Sequence, residues 1–258
     1  MAEKQITDRQ KSAEAVHTAA ETHGAAAGDA FAKRYKHFLQ KGETMPDIGL
    51  AMRLVARSLE EDAKALAAAG LAHEAELRDD VQPRKDRDAA ALALRNRTIE
   101  IRSALEGVYG VATATAAGFA GETPRDPVAL GQHVRGVVNG LGTIKLPRPK
   151  VKGAHIDVAA TAEELDGLEK GLAKHLRVVK REEREAEETQ SAKSRALDAY
   201  DVNFTASATL IEAGLLVAGK PELADRVRPS RRRPGVTAGS EEEGDGDPGN
   251  GVGGGGDK

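Results

Sequence analysis

Apolar side chains recur along this chain at the three- and four-residue spacing of helices, segment after segment. The longest stripe runs Leu165, Leu168, Leu172, Leu176, Val179, Ala186, Leu197, Tyr200, Phe204, Ile211 and Leu215. It predicts one helix over 161–218, roughly 87 Å long at 1.5 Å per residue. Thr161 and Glu164 have the spacing of a capping box, and Gly219 followed by Pro221 supplies the stop.

Earlier segments carry the same signal. A helix over 7–41 is striped by Ala13, Val16, Ala20, Ala27, Phe31 and Phe38, with Tyr35 flanking and Gly24 and Gly28 marking a kink or a close crossing. Next, 46–80 is striped by Ile48, Met52, Val55, Leu59, Ala63, Leu66 and Leu77. Pro83 then predicts a hairpin, with one bent helix as the alternative. A third helix over 84–120 ends in glycines and alanines that let another backbone come near, and 127–140 starts on Asp126 and Pro127.

The Pro-bearing basic stretch Lys145–Lys152 makes 142–160 a crossover, so that 1–141 and 161–228 form one bundle. From 229 to 258 the chain is Gly, Pro, Ser and charge, which predicts disorder. The expected architecture is all-α: an elongated antiparallel bundle of about four long helices, one or two short ones, and a disordered C-terminal tail.

Composition sharpens this picture. Aromatic residues are only 3% of the chain and much of the apolar content is alanine, so the core should be thin and the helices closely packed. A net charge of −3 with both signs interleaved argues against a general nucleic-acid-binding or membrane-binding field. The longest uncharged run, Gly107 to Gly121, is about 15 residues, short of the roughly 20 a spanning helix needs. With no cysteine, disulfides and thiol chemistry are excluded. The opening residues lack the apolar core of a signal peptide, so the expected location is cytoplasmic.

Candidate chemistry is sparse. Glu14 and His17 have the Glu-x-x-His spacing of carboxylate-bridged metal bundles, but the second such element that a site needs is missing. No nucleophile elbow and no phosphate-binding glycine loop occurs. The run Lys180–Glu188 interrupts the long stripe with charge, as a solvated middle or a docking surface would.

Arg226, Arg228, Arg231, Arg232 and Arg233 form a basic knot suited to an acidic partner or a phosphate backbone. The acids that follow it compete for the same arginines, and no aromatic residues interleave for base stacking, so nucleic acid is disfavoured. The expectation is a non-enzymatic helical protein without cofactor or metal, acting through a protein partner or self-association. A carboxylate-bridged metal bundle and a nucleic-acid-associated protein stand as the alternatives.

Overall fold

The computed structural model describes residues 2–241, and side chains from 4 to 239. The fold is all-α: α1 Ala2–Tyr35, α2 Ile48–Asp79, α3 Val81–Tyr109, α4 Val111–Ala116, α5 Pro127–Thr143, α6 Val158–Val217 and α7 Pro221–Val227. No helix among the described residues is long and apolar enough to cross a membrane. The described residues divide into two compact units, the first running up to His73 and from Thr189 to Glu241, the second Glu74–Glu188. The divisions fall inside α2 and, at the end of the charged run, inside α6.

In the first unit, α1 contributes Ala13, Val16, Ala20 and Ala27 to the core, and α2 contributes Met52, Ala56, Leu59, Ala63 and Leu66. Tyr200, Phe204, Ala208, Ile211 and Leu215 come from α6, and Ala224 and Val227 from α7. Each large side chain buried here is worth about 1.5–3 kcal/mol, while the small residues of α1 let backbones approach. The glycines of α1 mark a close crossing: a Cβ on Gly28 would lie 3.0 Å from the Gly49 nitrogen, and one on Gly24 would lie 3.1 Å from the Gly49 oxygen.

That crossing corrects the reading of α1. Because the second residue of α2 already lies beside Gly24 and Gly28, the end of α1 runs past its partner. Phe31 and Phe38 keep the apolar period but are not core: Phe31 is half-buried and Phe38 is 70% exposed. The α-helix stops at Tyr35 and tightens to a 3-10 turn over Lys36–Phe38, short of the expected Lys41.

The second unit packs Ala91, Leu94, Ile101, Leu105 and Tyr109 of α3 against Leu130, Val134, Val137 and Leu141 of α5 and Leu165 and Leu172 of α6. Pro83 makes no hairpin. Asp80 joins α2 to α3 in right-handed helical conformation, and the Asp80 N–H to Glu76 and Arg84 N–H to Asp80 bonds carry the ladder across the joint. Pro83 itself falls in the first turn of α3, where a missing N–H costs least.

The third helix ends at Tyr109, eleven residues before the expected 120, and Gly110, with a φ of 101°, turns the chain into α4. The small residues that follow serve the close approach the sequence suggested, since a Cβ on Gly118 would lie 3.1 Å from the Val137 Cα. Asp126 caps α5 by accepting from the Ala129 N–H at 2.8 Å, with Pro127 behind it. The expected Thr161 cap is replaced by Asp157, which accepts from the Ala159 and Ala160 N–H groups at 3.0 Å.

The C-terminal segment orders further than its composition suggested. From Arg228 the chain folds back on itself, with Ser230 N–H donating to the Val236 carbonyl and Ala238 N–H to that of Arg228, both at 2.9 Å. Val236 and Thr237 are buried, and the Thr237 N–H donates to Ser12 Oγ of α1 at 3.1 Å. One apolar side chain with a place in the core outweighs the glycines and arginines around it. The remainder of the expected disordered tail, 242–258, lies outside the described residues.

Candidate functional site

Pro221 starts α7 immediately after the Gly219 turn, and this short helix lies along α1. Ala224 and Val227 point into the core, which leaves Leu223 and Arg226 facing α1 across a groove of about 500 Å³. The opposite wall is a helical stripe of α1, Lys11, Ala15, Thr18 and Thr22, with Ala19 and His23 beside it. The floor is therefore apolar and the ends carry cations. Lys11 and Arg226 line the groove, and Lys220 donates to His23 Nδ1 at 2.9 Å, which keeps an ammonium close to the far end. Glu14 is the one carboxylate in the lining.

The five arginines of the predicted knot separate. Arg228 is held by Glu212 at 2.8 Å and by Asp225, and Arg233 donates to Asp8 at 2.5 Å. Both therefore fasten α7 and the segment after it to the first unit. Arg226 faces the groove, while Arg231 and Arg232 are exposed; the Arg232 and Arg233 backbone N–H groups donate to Ser230 Oγ at 3.1 and 2.9 Å.

Beneath this segment lies a polar centre that no sequence signal announced. Arg9 makes a two-pronged bond to Asp201, Nε to Oδ1 at 2.8 Å and Nη2 to Oδ2 at 3.0 Å. Tyr200, its hydroxyl pKa pushed up chiefly by burial, donates to the Arg9 carbonyl at 2.6 Å. Gly235 closes over the pair; its φ is 73°, and a Cβ there would collide with Asp201 Oδ1. The only clue was two charged residues beside helical core stripes, and their 192-residue separation hid the pairing.

Glu14 and His17 do not form a convergent metal set. His17 Nε2 sits 3.4 Å from Glu60 Oε2, and Lys64 places its ammonium 2.6 Å from the other Glu60 oxygen, so a cation already holds that carboxylate. The carboxylates that do converge among the described residues are Glu76, Glu182 and Glu185, with one oxygen from each within 4.8 Å of the others. Burial, and then the Glu185 and Glu182 charges, raise the Glu76 carboxyl above its ordinary range. Its Oε1 is buried without a hydrogen-bond partner.

Arg181 supplies the counter-charge, 2.6 Å from Glu182 and 3.7 Å from Glu185. Glu182 is thus buried inside a charged stretch that the sequence presented as solvated. The arrangement is an ionic network with its own cation at the surface. No protein-family model matches this chain, and neither a curated protein nor a solved structure shows significant similarity to it.

Proposed function

We propose that the protein works by contact rather than by chemistry, as a helical scaffold or adaptor that seats an acidic, amphipathic segment of a protein partner between α1 and α7. The observation that carries this reading is the groove itself: an apolar floor of Ala15, Ala19 and Leu223, with Lys11, Arg226 and Lys220 at its ends. A helix laid into a groove gains its affinity from apolar anchors and its orientation from charges at the rim. Its basic rim selects an acidic guest. A second copy of this chain is one protein that could supply it, and nothing in the reading calls for a cofactor, a metal or nucleic acid.

A photo-crosslinking residue placed at Thr18 in the full chain, expressed in its native cell, tests the proposal. The expected result is a discrete adduct that is lost in Lys11→Glu and Arg226→Glu backgrounds and absent when the crosslinker sits at exposed Thr205 of α6. Light scattering over a range of concentrations then distinguishes a second copy from another protein. Adducts that are the same at both positions and indifferent to the two charge reversals would overturn the reading.

A further inference from the structure

The uncovered end of α1 suggests a second contact surface, resting on no part of the groove. Aromatic residues are scarce in this chain, yet three of the four Phe and three Tyr gather here, at Phe31, Tyr35 and Phe38. Their rings follow one another, Phe31 to Tyr35 at 4.6 Å and Tyr35 to Phe38 at 6.5 Å, ending on a Phe38 that is 70% exposed beside a partly exposed Leu39. Two apolar side chains thus stand at the tip of a supported aromatic column.

Within this segment the charge has one sign. Between Asp29 and Glu43 there is no acid, while Lys33, Arg34, Lys36 and Lys41 are all exposed. Of the acids that flank it, Asp29 is exposed one turn before Lys33, while Glu43 accepts from the Gln40 N–H at 2.9 Å and Asp47 from the Leu50 N–H at 2.8 Å. Cations in the last turn of a helix also offset its dipole, which accounts for Lys33 and Arg34. It does not account for Lys36 and Lys41, which lie beyond the α-helix, nor for the exposed Phe38 ring between them, which has the His37 ring against it at 4.2 Å.

We propose that this tip, Phe31–Lys41, rests on the surface of an anionic bilayer, with Phe38 and Leu39 entering the interface and the cations meeting lipid headgroups. Aromatic and aliphatic side chains flanked by lysine fit a boundary that is apolar on one side and anionic on the other. Base stacking fits less well, because Tyr35 already has Phe31 against it and the Arg34 guanidinium 5.6 Å from its ring centre. The local charge of this segment is masked in the whole-chain net of −3.

The test uses the full chain and vesicles of phosphatidylglycerol with phosphatidylcholine, against phosphatidylcholine alone. Because the sequence has no tryptophan, Phe38→Trp installs a single reporter at the tip. The expected results are a blue shift of its emission on anionic vesicles only, and co-sedimentation that weakens with salt. Binding should fall about tenfold in Phe38→Ser and in Lys33→Gln with Lys36→Gln, but stay unchanged in Arg231→Gln with Arg232→Gln. Circular dichroism confirms that each variant is folded, and the Trp reporter does not depend on the serine variant. No blue shift, anionic binding that is indifferent to Phe38 and the lysines, or tip-dependent binding to a single-stranded oligonucleotide or an acidic peptide but not to vesicles, would each overturn the proposal.

Discussion

Each unit carries an ionic centre, buried in the first and half-exposed in the second, and the two are built on opposite terms. In the first unit one guanidinium meets one carboxylate in a matched fork, Arg9 on Asp201, with Gly235 lying against it and a tyrosine hydroxyl held nearby. In the second unit three carboxylates crowd around a single cation, Arg181. A matched pair is most sensitive to losing a member, since the survivor is left charged without a partner. An overloaded cluster responds the other way, gaining when a carboxylate loses its charge.

The largest expected effect comes from Gly235→Ala, which puts a side chain into both a left-handed backbone and the space occupied by Asp201. It should cost about 3–5 kcal/mol from backbone strain and overpacking together, read as a lower urea midpoint. Asp201→Asn preserves shape but strands Arg9, and should cost about 3 kcal/mol in the same measurement. If that variant is as stable as the parent, the matched fork contributes nothing and the contrast with the second unit collapses.

For the crowded centre the sign reverses. The Glu76 carboxyl is raised in the fold, so its share of stability is full below the ordinary carboxylate pKa and is lost as pH rises through the raised value. Glu76→Gln should therefore raise the melting temperature slightly at neutral pH, with the advantage vanishing in acid. A variant that melts lower at neutral pH would mean the carboxylate is needed ionised. Arg181→Gln, by contrast, removes the paired cation and should make the melting temperature rise more with added magnesium or calcium than it does in the parent. The smallest effect is reserved for Arg231→Gln with Arg232→Gln, whose exposed side chains should leave stability unchanged to within about 0.5 kcal/mol.

How much of this was legible depended on whether the signal was local. The fifth helix could be read whole, because Asp126, Pro127, Leu130, Val134, Val137 and Leu141 all speak within one short stretch and the structure buries the four apolar ones. Gly219 and Pro221 announced the end of α6 for the same reason. Phe31 and Phe38 misled, since periodicity tells which side of a helix is apolar but not how far along it a neighbour extends. Pro83 favoured a hairpin over one bent helix on paper, and the structure carries the helix on, because a proline in the first turn of a continuing helix and one in a hairpin look alike in sequence.

The candidate site was legible in part. Arg226 could be singled out as a cation, but the groove it faces exists only because α7 folds back along α1. The arginines beside it could not be sorted into fasteners and free groups without Glu212, Asp225 and Asp8, which come from other stretches of the chain.

The glycine contact between α1 and α2 has reach beyond its own neighbourhood. With no side chains separating the two backbones, it acts as a knuckle that sets where along α1 the second helix begins, and hence how much of α1 projects. A single methyl added at Gly49 would press on the carbonyl of Gly24 and force the rods to slide or part. The reach of the aromatic tip could thus be retuned from two turns away, with every ring left as it is.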